Sequence, residues 1–450
     1  MTNTEANHLN EQLARRSRSE TVSGRNPLQP ESIVVHYHEI ALKGNNRDYF
    51  EKRLQKNIQR ATAHLGVQAI VRLYGRLLCK LLPKANVKAI CSELQKIFGI
   101  AYFAPAYKLE QDIDVISNAA VHLLTQQRFQ TFKVETKRSQ KHFPLTSPQI
   151  NVHVGDVILS RFNARVDLHA PEVTVWIEVA DNYALIYTQR ILGPGGLPVG
   201  SAEQAVCLLS GGIDSPIAAF RIMKRGVNLI YVHFHSAPFT TNASQELVER
   251  LVQLLTQYQQ HALLYFIPFA EIQQHLVAHC PPGLRVILYR REMLRLAEKI
   301  AYQHRAPALI TGDNVSQVAS QTLSNLRVIN QVATLPVLRP LAGDDKQDIV
   351  KQARQLGSFE ISTEPFEDCC SLFVPANPET HAKLDRVLQV EANLDLEPVR
   401  RLALAQAVKK VFEYPPRNSP LEGEGHAREQ NLAIPSALFD NNVEAPSRGE

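Results

Sequence analysis

The chain has 450 residues, 44% of them hydrophobic and 7% aromatic, with a formal net charge of +5. That composition fits a globular protein of two or three domains. No apolar run approaches the roughly 20 residues of a membrane helix, and the polar start MTNTEANHLNEQLARRSRSE has no apolar core of a secretory signal, so the expectation is a cytoplasmic protein with no membrane partner.

Residues 1–30 lack hydrophobic periodicity and are expected to be disordered. SIVVHYHEIAL, VQAIVRLYG and RLLCKLL read as strands. Between the first two, Phe50, Leu54, Ile58 and Ala61 recur at helical spacing in a helix that ends at Gly66. NVKAICSELQKIFG is a second helix, and IAYFAPAYKL a strand. This order over 31–108 is that of a ferredoxin-like unit. Over 109–192, DVISNAAVHLLTQQ is helical, TFKVETKRS is a strand, and SPQINVHVGDVILSRF enters a helix through Ser-Pro. VTVWIEVA and YALIYTQRI alternate across Asp181-Asn182 as a hairpin. Residues 193–200, GPGGLPVG, are a linker by composition.

From 201 to 395 the pattern becomes strand then helix, repeated. AVCLLS, VNLIYVHFH, HALLYFIPF and APALITG are short apolar runs separated by helices. Such runs build a parallel sheet covered on both faces, with ligands at the carboxyl ends of the strands. LDLEPVRRLALAQAVKKVFEY reads as one more helix over 396–412, and the Pro-, Gly- and Glu-rich residues 413–450 are expected to be disordered. The whole is a multidomain α+β and α/β protein.

Charge is uneven along these units. Residues 33–192 carry 21 Lys and Arg against 13 Asp and Glu, residues 193–412 carry 21 against 20, and the tail from 413 carries 3 against 7. The basic half suits a polyanionic partner, or simply a solvated lysine-rich surface. Alternation along TFKVETKRSQK puts Lys133 and Lys137 on one strand face, and Arg138 and Lys141 follow where it ends. Lysines suit a folded RNA read through its phosphates, with binding that weakens steeply with salt.

Ser210-Gly211-Gly212-Ile213-Asp214-Ser215 lies between a strand and a helix. Glycines permit the tight turn, backbone N–H groups and the helix N-terminus attract an anion, and two serines add hydroxyl donors. Asp214 in such a cradle makes sense if Mg²⁺ bridges its carboxylate to a phosphate. His233 and His235 share a strand face by alternation alone, which needs no metal.

Six cysteines form no C-x-x-C pair. Cys79, Cys91 and Cys207 sit in apolar patterns as core residues. A disulfide between the adjacent Cys369 and Cys370 would be strained. Inert buried thiols fit that pair, and so does a reactive thiol.

The string SGGIDS resembles the PP-loop of the ATP pyrophosphatases, which cleave ATP between its α- and β-phosphates and adenylate a substrate. YHEIALKGNNRDYFEKRL (37–54) resembles the first-strand signature of the tRNA 4-thiouridine synthetases, and FKVETKRSQKHFPLTSPQINVHVG (132–155) resembles the THUMP RNA-binding domain. HFHSAPFT, LYRREMLR, TGDNVSQVASQTL, RPLAGDDKQDIV and PFEDCCSLFVPANPET are similar to segments of the same family in the same order. The match covers about residues 33–395, and the chain is identified as a member of the ThiI-type tRNA sulfurtransferases. His36 and His38 depart from the family's usual Arg or Lys and Gly. With about 55 residues after 395, the resemblance is to a short form without the rhodanese domain of some members.

This resemblance implies ATP lying across Leu208, Leu209, Ser210, Gly211, Gly212, Asp214 and Ser215, with adenine and ribose against His233 and Phe234. Gly312 and Gln321 would line the pocket, and Arg290 would reach the nucleotide or the RNA. Lys346 would touch the phosphates or the adenylated base. The implied activity is ATP-dependent sulfur transfer to a tRNA uridine (position 8), giving 4-thiouridine, with catalytic roles for Asp214, Lys346, Cys369 and Cys370. Implied partners are tRNA, a cysteine desulfurase as persulfide donor, a thiamine-pathway sulfur-carrier protein, and a second copy of the chain as a homodimer. The rival readings are another PP-loop tRNA-modifying enzyme, or an inactive tRNA-binding protein on the same domains.

Overall fold

The computed structural model describes residues 30–73, 75–139, 142–180, 182–366, 373, 375, 377–416 and 428–430. The chain forms two compact units, one drawn from residues up to 34, 78–87 and 104–190, the other from 35–77, 88–103 and 191 onward. Among the described residues no helix is long and apolar enough to cross a membrane.

The opening run is β1 (Ser32–His36), α1 (Arg47–Thr62), β2 (Val67–Leu73), β3 (Arg76–Leu81), α2 (Val87–Leu94) and β4 (Tyr102–Leu109). Its strand order, β2-β3-β1-β4, is the ferredoxin-like one, and its residues contribute to both units. Helix α1 buries Leu54, Ile58 and Ala61 on one stripe, as their spacing predicts.

In the first unit α3 (Ile113–Thr125) and α4 (Ser147–Arg161) cover β5 (Thr131–Arg138), which pairs in parallel with the short β6 (Arg165–Val166) and with β7 (Val173–Val179). The hairpin expected across Asp181-Asn182 joins β7 to β8 (Ala184–Tyr187), antiparallel. Helix α4 starts behind a Thr146–Gln149 capping box with Pro148 in its first turn. Phe132 and Val134 face the core with Ile150, Val154 and Ile158, which leaves Lys133, Glu135 and Lys137 on the other face of β5.

In the second unit β9 (Ile191–Leu192) pairs with Tyr102 and Phe103. The segment read as a linker is bonded along its length. Gly193 and Gly195 donate to the carbonyls of Ala101 (3.0 Å) and Ile100 (2.8 Å), Leu197 to Lys224 (2.9 Å) and Gly200 to Gly226 (2.8 Å). Then follow β10 (Gln204–Leu208), α5 (Asp214–Met223), β11 (Asn228–His235), α6 (Ala243–Gln259), β12 (His261–Pro268), α7 (Ala270–His279), α8 (Arg285–Gln303), β13 (Leu309–Ile310), α9 (Leu323–Asn330), β14 (Val337–Leu338), α10 (Lys346–Leu356) and α11 (Phe359–Ser362). Strands β14, β13, β10, β11 and β12 lie in that order, all parallel. One core fills each face of the sheet, as the uniformly apolar strands require. The order reverses beside β10, so a crevice opens where β10 and β13 diverge.

The expected helix over 396–412 is two elements. After α12 (Leu384–Glu391), α13 (Glu397–Ala405) stops short, and β15 (Val408–Glu413) runs antiparallel to β12. VKKVFE buries Phe412 and closes the hydrogen-bonding edge that β12 would otherwise expose. Within the tail expected to be disordered, β16 (Arg428–Gln430) pairs with β15.

Candidate functional site

Strand β10 ends in a loop locked by its own serines. The Ser210 amide donates to Ser215 Oγ (3.0 Å), and Ser215 Oγ donates to the Ser210 carbonyl (3.1 Å). The Gly212 amide points at Ser210 Oγ (3.4 Å). Gly211 packs under Phe366, where a Cβ would stand 2.8 Å from the ring. Helix α5 begins with no side-chain cap on its first turn, so its N–H groups are available to an anion.

This cradle opens into a cavity of about 550 Å³ at the carboxyl ends of β10, β11 and β13. Leu208, Leu209, Ser210, Gly212, Asp214, Ser215, His233, Phe234, Arg290, Gly312 and Gln321 all line it. Gly211 does not, being turned to Phe366 and Leu247. His233 Nδ1 bonds the Leu209 carbonyl (2.9 Å), tying the loop to β11. Lys346, the first residue of α10, pairs with the Asp214 carboxylate, which also accepts from Gln317 Nε2 (2.9 Å).

Sequence reasoning missed the acid at the cavity floor. Asp313, 2% exposed, is ion-paired with Arg290 and with Arg339 Nε (3.0 Å). It also accepts from Thr311 Oγ1 (2.8 Å) and Gln321 Nε2 (3.3 Å). Burial pushes its pKa up, but the two arginines outweigh that and hold it at about 2. Arg290, expected to reach nucleotide or RNA, lines the cavity with Nη2 on Asp313 and Nη1 on Ser320 Oγ (3.1 Å). The one available signal was an acid next to Gly312 at a strand end.

Cys369 and Cys370 lie outside the described residues; upstream of them the chain packs on the loop, and downstream it lines the cavity. Upstream, Phe366 covers Gly211 of the loop. Downstream, Pro378 and Glu379 line the cavity, and the buried Asn325 side chain bonds the Glu379 carbonyl (2.7 Å) and the Ala382 amide (2.9 Å). The other cysteines fit core roles. Cys79 and Cys207 are fully buried, Cys280 is buried, and Cys91 is half-buried. Burial lifts the thiols of Cys79 and Cys207 to about 12. Among the described residues no group of three potential ligands could hold a metal ion.

On the first unit, Lys133 pairs with Glu135 (3.2 Å) on the open face of β5, and Lys137 is exposed. Arg138 turns to the Phe143 (3.3 Å) and Leu145 (2.8 Å) carbonyls. Lys141 lies outside the described residues.

A serine-locked, glycine-lined cradle at the switch point of a parallel sheet defines a nucleotide-binding α/β protein, carried in one chain with a separate α+β unit. The family described as "Thiamine biosynthesis protein (ThiI)" matches residues 200–396, the ThiI ferredoxin-like domain matches 32–104, and the THUMP domain matches 110–189. A probable tRNA sulfurtransferase of Thermus thermophilus is 42% identical over 393 residues, 87% of this chain and 97% of that one. Another, from Moorella thermoacetica, is 43% identical over 364 residues, 81% of this chain and 93% of that one. Among solved structures, a 4-thiouridine synthetase–RNA complex with bound ATP aligns with a TM-score of 0.78 at 36% identity, covering 85% of this chain and 99% of that one. The chain belongs to the ThiI family of tRNA sulfurtransferases.

Proposed function

We propose that this chain uses ATP to thiolate tRNA, converting a uridine, by family resemblance at position 8, to 4-thiouridine. The carrying observation is the cavity at the end of β10, where an uncapped helix N-terminus, a serine-locked glycine loop and the Lys346–Asp214 pair meet. ATP would lie there, its adenine toward His233 and Phe234 and its phosphates toward Ser210–Ser215 and Lys346. The loop has no Gly-Lys-Ser/Thr of a γ-phosphate-transferring site, which suits pyrophosphate as the leaving group.

Of the acids lining the cavity, Asp313 is consumed by two arginines, whereas Asp214 stands by the cradle with Lys346 and Gln317. One carboxylate fits Mg²⁺ provided triphosphate and water complete the oxygen shell. Bound there, the ion would neutralise charge on the departing pyrophosphate.

Uracil O4 is a poor leaving group. Its attack on the α-phosphorus makes a new P–O bond and expels pyrophosphate. A persulfide sulfur on Cys369 or Cys370 then bonds to C4 as the C4–O4 bond breaks and AMP leaves; a second thiol attacks the carrier cysteine's sulfur, breaking the S–S bond to release 4-thiouridine and leaving a disulfide that an external thiol reduces. A cysteine desulfurase in the cytoplasm would supply that sulfur, and a thiamine-pathway carrier protein is a second acceptor by resemblance. The THUMP unit would hold tRNA through Lys133 and Lys137.

The test is product analysis with ATP, unmodified tRNA and a persulfide donor. AMP, pyrophosphate and 4-thiouridine are expected, whereas ADP and phosphate, or no turnover, overturn the reading. Cys369→Ala should abolish thiolation with ATP and tRNA binding intact. Thiolation that survives loss of both cysteines refutes the sulfur-carrier role.

A further inference from the structure

Two phenyl rings stand side by side in solvent beyond the carboxyl end of β11. Phe239 is 42% exposed and Phe373 is 37% exposed. Their centroids are 6.0 Å apart with the planes at 70°, an edge-to-face pair. A lone exposed apolar side chain needs no explanation, but this pair is held in place at some cost. Phe373 has a φ of 60°, a left-handed conformation that is unfavourable for a bulky residue and concentrates where function demands it.

Phe239 is fixed from below. Its amide donates to the Ser236 carbonyl (2.8 Å), and the fully buried Ser236 is hydrogen-bonded through Oγ to Gln273. The same strand end carries Phe234 into the nucleotide cavity. The rings therefore form an exposed apolar step, with Phe239 five residues beyond the cavity-lining Phe234. No charged group is needed on such a step if its occupant is neutral and flat.

The reaction proposed above requires an occupant of that kind. A uracil whose O4 must reach an α-phosphate inside the cavity cannot stay stacked in its RNA helix. Once extruded it loses both neighbouring bases, and aromatic side chains are the usual substitute. We propose that Phe239 and Phe373 are the stacking platform for the extruded target base, presenting its C4 edge to the cavity. The inference rests on the thiolation reading and names the part of the site that receives the base.

The experiment compares Phe239→Ala, Phe239→Leu and Phe239→Tyr in single-turnover thiolation at saturating tRNA and ATP. Dissociation constants for each ligand are measured beside the rates. Phe239→Ala should slow thiolation on the order of ten- to a hundredfold, the range of a lost base–aromatic stack. Affinity for tRNA, dominated by phosphate contacts, should change by no more than about twofold, and ATP affinity likewise. Tyr should restore the rate and Leu should not, because Leu fills the space without a π-face. Leu performing like Phe would overturn the proposal, as would a parallel loss of ATP affinity in the Ala variant. A Phe239→Ala defect that vanishes when free sulfide replaces a protein sulfur donor would put that donor on the rings and overturn it too. Wild-type protein that makes no 4-thiouridine in the same assay sinks the thiolation reading itself, and the platform with it.

Discussion

Gly312 and Ser215 meet backbone to backbone: a Cβ on Gly312 would lie 2.8 Å from both the nitrogen and the Cα of Ser215. Gly312, two residues beyond the end of β13, thus seats the first turn of α5, and with it the cradle. Gly312→Ala cannot be absorbed by a side-chain rotation, since the obstacle is backbone. Overpacking of this kind costs about 1–3 kcal/mol, and here it displaces the N–H groups that face the anion. A lowered melting temperature together with a larger loss of ATP-dependent AMP release is the expected outcome. Normal AMP release from the Ala variant would refute the seating role.

Lys346 and Asp214 form the ion pair beside the cradle, with side chains 45% and 19% exposed. A pair this open contributes about 0–1 kcal/mol to stability. Lys346→Met should therefore leave the melting temperature nearly unchanged. Its effect should fall on chemistry, because a cation aimed at developing phosphate charge contributes roughly 10²–10³ in rate. Stopped assays of AMP formation on folded protein separate the two. A variant that melts early but turns over normally would assign Lys346 to the fold alone.

The cradle was legible because its chemistry is contiguous: Ser210 through Ser215 carry glycines, hydroxyls and an acid within six residues, directly after an apolar strand. His233, Phe234 and Gly312 were legible as strand ends, which a parallel sheet gathers on one edge. The floor was not legible. Asp313 meets Arg290 and Arg339, 23 and 26 residues away, and a long-range charge pair leaves no local pattern. Strand β15 was hidden for a different reason. Lys409 and Lys410 blur the alternation of VKKVFE, and only pairing with β12 makes it a strand. Composition misled at 193–200, where glycine and proline mark close backbone approach: a Cβ on Gly193 would stand 2.4 Å from the Ile100 carbonyl oxygen, and one on Gly196 2.2 Å from that of Lys224.

Asp313→Asn tests the floor. The substitution keeps the shape and removes the charge that compensates Arg290 and Arg339, whose side chains are 19% and 11% exposed. Breaking a buried pair by removing one partner costs about 3–5 kcal/mol. The denaturation midpoint should fall accordingly, and ATP should bind more weakly as Arg290 and Gln321 lose the carboxylate that orients them. An unchanged midpoint would mean that the arginines find other partners and that Asp313 does not organise the floor.

His235, the last residue of β11, gives the protein a pH dependence of defined sign. Burial first, and then His233 beside it, push its pKa from 6.5 down to about 4, and its Nδ1 is buried with no hydrogen-bond partner among the described residues. The folded state therefore holds this imidazole neutral. Between pH 6.5 and about 4 the unfolded chain binds the proton and the folded chain does not, so stability rises with pH through that window and is flat above it. At 1.36 kcal/mol per pKa unit the full effect is on the order of 3 kcal/mol. His304, also depressed by burial and then by Lys409, adds a contribution of the same sign. His235→Gln removes the larger titration while keeping a polar side chain of similar reach. Its melting temperature should change less than that of the wild type between pH 4.5 and 7, with the two curves converging toward low pH. Parallel curves across that range would show that His235 takes up its proton as readily in the folded state as in the unfolded chain and would refute the assignment.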